Sequence, residues 1–252
     1  VTVSPKRIVV IGATSVIAVH CMYQWAKEGA AFTLVGRDQH KLEQIAAEIR
    51  IRYPRVTTRV IVSSFLDPIA IQQLADQLAV EGPIDIALIA QGVLPAQVDC
   101  ERDLRTCYET LAVNAISPVL FAESMVGHMQ RANHGCLAII GSVAGDRGRK
   151  SNYVYGAAKG LLERYVQGLQ HRLSKTSVKV ILIKPGPTDT PMTAHPAYRT
   201  RVKKMATPKV VAQQIVKGIE KKKAVIYTPK RWAVIMAVVK CLPRFVFNRM
   251  DI

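Results

Sequence analysis

A chain of 252 residues with 49% hydrophobic and 21% charged side chains is long enough to bury a substantial core, which excludes a disordered or fibrous protein. Its 35 Lys and Arg against 18 Asp and Glu give a formal charge of +17, and from Arg199 onward the only acids are Glu220 and Asp251. The five cysteines (Cys21, Cys100, Cys107, Cys136 and Cys241) are scattered without a C-x-x-C pair, so neither a zinc site nor a disulfide framework is expected, and free thiols suit a reducing cytoplasm.

Residues 6–11 (KRIVVI) form a short apolar run ending at Gly12, as a buried parallel strand would. A helix is expected over 15–28 and a second strand over 31–36. Asp38 then caps a helix to Arg52 with an apolar stripe of Leu42, Ile45, Ala46 and Ile49. A strand over 56–62, a helix over 68–80 and a strand over 84–90 follow, then one long helical region over 101–130. A strand over 136–141, a helix over 153–175, a strand over 178–184, a helix over 209–221 and a short strand over 224–227 complete the series. This alternation predicts an α/β fold, a Rossmann-type doubly wound parallel sheet of about seven strands in a single domain, with its ligand at the strands' carboxyl ends. The dinucleotide-binding and catalytic domain is expected over 1–230 and a basic amphipathic segment over 231–252.

Between the first strand and helix, IGATSVIA (11–18) offers a glycine for a tight turn and a helix N-terminus for a pyrophosphate. Gly12, Thr14, Ser15 and Ile17 are the candidates, although an ordinary βα turn reads the same way. Arg37 ends the second strand with no carboxylate before Asp38, which favours the 2′-phosphate of NADP(H) over NAD.

Tyr155 and Lys159 stand at i, i+4 on one helix face, where an ammonium lowers a phenol's pKa from its ordinary value near 10. A phenol so placed gives a proton to a carbonyl as hydride arrives. Ser142, at the end of a predicted strand, would polarise the same carbonyl. Tyr153 and Tyr165 have Ala157 and Leu169 four residues on, so neither has that partner.

The segments G-A-T-S at 12–15, V-N at 113–114, I-I-G-S at 139–142, Y-G-A-A-K at 155–159 and P-G-P-T-D-T at 185–190 resemble the short-chain dehydrogenase/reductase family over nearly the full length. The resemblance implies that Tyr155 is the acid/base, that Lys159 lowers its pKa and holds the nicotinamide ribose, and that Ser142 orients the carbonyl. Asn114 would hold a helix kink and a relay water. Pro185, Gly186, Thr188 and Thr190 would flank the nicotinamide, with Ser64, Phe65 and Gly92 elsewhere in the cofactor site. Residues 189–207 would form a lid, and chains would pair as homodimers or homotetramers through two long central helices. Val16 and Ala18 stand where the family has glycines, Ile89-Ala90-Gln91-Gly92 replaces its N-N-A-G, and Ser64 takes the place of an aspartate.

The run 230–250 mixes aromatic and aliphatic residues with Lys230, Arg231, Lys240, Arg244 and Arg249. Its apolar stretch, Trp232 to Val239, is far shorter than the roughly 20 residues that span a bilayer. Such a helix either lies in a membrane interface or packs on the domain or an oligomer contact, and the sequence leaves both open. More loosely, the chain resembles a divergent branch containing the decaprenylphosphoryl keto-pentose reductases, which implies a lipid-phosphate ketone; a sphingoid or fatty ketone suits the residues equally. The expectation is a cytoplasmic NADP(H)-dependent oxidoreductase of a small-molecule or lipid-linked carbonyl, with peripheral membrane contact open and no nucleic-acid partner expected. The alternative is a non-catalytic NADP-binding regulatory protein that uses its basic tail on nucleic acid or membrane.

Overall fold

The apolar run before Gly12 becomes β1 (Arg7–Ile11) in a computed structural model that describes residues 5–201 and 204–250. Val1–Ser4 of the expected first domain, Val202 and Lys203 of the expected lid, and Asp251 and Ile252 of the tail lie outside the described residues. After β1 come α1 (Val16–Ala26), β2 (Ala31–Gly36), α2 (Gln39–Arg52), β3 (Thr57–Val62), α3 (Pro68–Val80) and β4 (Ile86–Ile89). Local chemistry sets the helix starts. Asp38 accepts from the Lys41 amide, and Asp67 from the Ile69 and Ala70 amides, with Pro68 in the first helical position.

The long helix expected over 101–130 is divided. It becomes α4 (Gln97–Arg102), α5 (Leu104–Leu111), one turn of π-helix (Ala112–Ile116) and α6 (Ser117–Ala132). Asp103 is extended and caps α5 through the Arg105 and Thr106 amides, which breaks the first half. In the second half Asn114 Nδ2 donates to the Thr110 carbonyl at 2.8 Å, at the turn where the helix widens. Leu104–Ala132 has the length and apolarity of a membrane span, yet more than half of its most apolar window is buried in the protein.

The chain continues through β5 (Cys136–Ile140), α7 (Tyr153–Arg172), β6 (Lys179–Pro185), α8 (Pro196–Arg201), α9 (Pro208–Glu220), β7 (Val225–Thr228), α10 (Arg231–Cys241) and α11 (Arg244–Phe247). All seven strands pair in parallel, in the order β3-β2-β1-β4-β5-β6-β7. Alternation along β1 divides the core: Ile8 and Val10 join α1, α2 and α9, while Val9 and Ile11 join α3, α6 and α7. Fully burying a side chain such as Phe121 in the second layer contributes about 2–3 kcal/mol. Strand order reverses at β1/β4, and the sheet opens a crevice at those carboxyl ends.

The tail packs on the domain along one side. Trp232 and Val239 are half-buried and Met236 is buried, while Arg147 donates to the Val239 and Leu242 carbonyls and lies 3.8 Å over the Phe247 ring.

Candidate active site

The turn after β1 narrows to its sharpest point at Gly12. Its φ is +75°, and a Cβ there would stand 2.5 Å from the Gln91 amide nitrogen, so no other residue fits. Ser15 caps α1 by position only: its side chain makes no cap hydrogen bond, which leaves the first-turn N–H groups of α1 without one from that hydroxyl. Thr14 is exposed beside it. Ser15 and Ile17 line the crevice, whereas Ala18 is wholly buried in the core beneath.

Arg37, exposed at the end of β2, lies 5.4 Å over the Phe65 ring. Phe65 in turn packs edge-on against Phe121. Ser64 Oγ accepts from the Leu66 and Asp67 amides, shaping the turn into α3. Arg37, Ser64 and Phe65 lie past the ends of β2 and β3, outside the residues that line the crevice.

Ser142, Tyr155 and Lys159 line the crevice together with Gly92, Pro185, Gly186, Thr188 and Thr190. Ser142 follows β5, and its Oγ accepts from the Ala144 amide. Lys159 is 3% exposed and donates to the Ile140 carbonyl at 3.1 Å, while its Nζ lies 5.8 Å from the Tyr155 ring centre. Asn114 sits behind this pair, fully buried. It donates to the Val93 carbonyl at 2.9 Å and accepts from the Val93 amide at 3.1 Å, fixing the loop after β4. In that loop Gln91 Nε2 donates to Ser117, while Gln91 Oε1 is buried with no partner among the described residues.

Burial governs the electrostatics of the Tyr155 and Lys159 pair. The Tyr155 pKa is pushed up to about 12, chiefly by burial, with a hydrogen bond from Ser142 pulling the other way. Lys159 is brought down to about 8 by the same desolvation. The pair meets as a protonated phenol and a weakened ammonium.

The segment after β6 leaves the sheet and returns to it. Thr188 bridges Ala206 in parallel, with Asp189 N–H donating to the Ala206 carbonyl and Ala206 N–H to the Pro187 carbonyl, each at 2.9 Å. The excursion between carries α8, whose Tyr198 lines the crevice along with Met192. A neighbouring groove with apolar walls (Val93, Leu94, Pro95, Pro191 and Met192) leads outward past Thr106, Glu109, Thr110 and His195.

Several residues of the site carry no signal in the sequence. Trp232 of α10 lies against Gly186 so closely that a Cβ there would stand 2.0 Å from the indole nitrogen. Arg149 and Asn152 line the crevice from the loop before α7, and the spacing of G-D-R-G-R-K-S-N does not single them out.

A doubly wound parallel sheet with a serine, a phenol and an ammonium gathered at its switch point defines the class: an α/β protein of the dinucleotide-binding type. Residues 6–199 match the family model of the short chain dehydrogenases. The chain is 30% identical over 240 residues to an uncharacterized oxidoreductase of Mycobacterium tuberculosis, covering 95% of this chain and 88% of that one. Its fold matches a short-chain dehydrogenase from Sphingobium yanoikuyae in complex with NADPH (TM-score 0.82, 19% identity, 95% and 97% of the two chains). It also matches one from Burkholderia cenocepacia in complex with NADP (TM-score 0.81, 17% identity, 98% of each). The chain belongs to the short-chain dehydrogenase family, whose members are oxidoreductases.

Proposed function

We propose that the protein is an NADP(H)-dependent oxidoreductase that reduces a ketone bearing a hydrophobic arm, and oxidises the corresponding alcohol in reverse. The carrying observation is the convergence of Ser142, Tyr155 and Lys159 beside the uncapped N-terminus of α1. The pyrophosphate would rest on the Gly12–Ile17 turn, the adenosine 2′-phosphate on Arg37, and the nicotinamide between Gly92 and the Pro185–Thr190 wall. When bound, the nicotinamide supplies the hydride to the carbonyl carbon. Ser142 orients the carbonyl oxygen, and Tyr155, protonated throughout the neutral range, donates its proton to that oxygen. Lys159 steadies the charge left on the phenol, and Asn114 holds the loop and helix around them. The apolar groove takes the substrate's arm.

The cofactor assignment is tested by fluorescence titration with NADPH and NADH side by side. NADPH is expected to bind about tenfold tighter or more, because Arg37 can meet a phosphate with two parallel hydrogen bonds, and Arg37→Asp is expected to erase that preference. Equal affinities in the parent protein would remove Arg37 from the site.

The outer side of the tail carries the proposed membrane contact. Val234, Val238 and Phe245 are 70%, 58% and 65% exposed, and the same segment carries the exposed cations Lys230, Arg231, Arg244 and Arg249. An apolar strip framed by cations complements an anionic lipid surface. Co-sedimentation with phosphatidylglycerol vesicles is expected, weakening with salt and with Val238→Glu. Equal recovery with neutral phosphatidylcholine vesicles would count against it.

A further inference from the structure

Arg149 projects from the loop between β5 and α7 into the same crevice as Ser142 and Tyr155. A guanidinium has five N–H donors and stays charged, so in a partly enclosed position it ordinarily meets a carboxylate. Here it does not. Among the described residues its hydrogen bonding consists of one weak 3.5 Å contact to Met236 Sδ, and its Nε is buried with no partner. The acid closest along the loop, Asp146, is already engaged: Lys184 donates to it at 2.5 Å, Tyr227 at 3.2 Å, and Lys240 stands 3.6 Å away. Asn152 Oδ1, in the same wall, is likewise buried and unpartnered. Tyr198 of α8 closes that side.

An unsatisfied guanidinium in a half-closed pocket is costly to the free protein. A bound anion would meet its donors and lift that cost. We infer that Arg149 is the recognition residue for an anionic group on the substrate, a carboxylate or a phosphate held beside the reacting carbonyl. This rests on the crevice being the substrate site of the proposed oxidoreductase. Burial also pulls the Arg149 pKa below its ordinary value, outweighing the opposing pull of Tyr198 and Asp146. The acid-binding role divides the pocket in two: the groove past Met192 receives the apolar arm, and Arg149 selects substrates by charge.

The test uses the full chain saturated with NADP+, so that the cofactor's own phosphate sites are filled. Inorganic phosphate, acetate and dodecyl phosphate are titrated by calorimetry into the parent protein, Arg149→Met, and Arg149→Gln as a second variant should the first not fold. The expected result is anion binding that weakens about tenfold or more in either neutral variant, as loss of a hydrogen bond to a charged group implies. Arg149→Lys, which keeps the charge without the fork, is expected to fall between. Much tighter binding of dodecyl phosphate than of inorganic phosphate would assign the anion to a lipid-borne substrate, and equal binding would assign it to a soluble one. Absence of anion binding, or affinity unchanged in both neutral variants, would overturn the assignment. A parallel NADPH titration separates the two readings: if NADPH does not bind yet phosphate binding still depends on Arg149, the oxidoreductase reading fails and the anion site stands.

Discussion

Tyr155→Phe is expected to lower the turnover of ketone reduction by about 10²–10⁴-fold, the range in which a positioned general acid acts, while NADPH binding persists. The substitution removes one oxygen from a half-buried ring, so the shape of the crevice is kept and the proton donor alone is lost. Single-turnover oxidation of NADPH against a reducible ketone measures the effect without product release. Full turnover in this variant would exclude Tyr155 as the acid. The pH profile of kcat/KM adds an independent check. Tyr155, pushed up to about 12, remains a proton donor well into the alkaline range. Lys159, brought down to about 8, loses its charge first, so reduction is expected to decline above about pH 8 in the parent protein.

The largest effect on stability is expected at Lys184. On β6, its ammonium donates to Asp146 at 2.5 Å and Glu163 at 2.8 Å, with side-chain exposures of 2% for Lys184 and 0% for Asp146. Tyr227 also donates to Asp146 from β7. Lys184→Met would leave two neighbouring carboxylates, one of them fully buried, without their central cation. Breaking a buried pair in this way costs about 3–5 kcal/mol, which for a chain of this length lowers Tm on the order of 10 °C. Scanning calorimetry checks the value. A loss below about 1 kcal/mol would show the network to be no stronger than a surface pair. Neutralising the carboxylates as well, with Asp146→Asn and Glu163→Gln, is expected to recover most of the loss.

The two buried lysines also impose opposite pH dependences. Burial works against the Lys184 charge, but the hydrogen bonds to Asp146 and Glu163 outweigh it and hold the pKa above its ordinary value. Its contribution is therefore in force below the ordinary lysine pKa of about 10.4 and is lost as pH rises through the higher folded value. Among the described residues no carboxylate pairs with Lys159, so its charge is a penalty to the fold that is relieved between about pH 8 and the ordinary value.

Much of the architecture was legible along the chain. Strand boundaries at β2 and the whole of α3 coincide with the expected ranges, because apolar runs, Asp caps and Pro68 act locally. The helical region over 101–130 was not legible in detail. Its breaks depend on Asp103 turning extended and on Asn114 reaching Thr110 and Val93, contacts that periodicity does not encode.

Residue order alone is enough for the alternation of strand and helix, the glycine-led turn at Gly12, and the placing of Tyr155 and Lys159 on one helix face. Each of these follows from spacing within a few residues. Contacts between distant parts of the chain bring together Trp232 and Gly186, set Lys184 between Asp146 and Glu163, and place Arg149 in the same crevice as Tyr155. They also set the burial that raises the Tyr155 pKa, since desolvation depends on everything packed around a group.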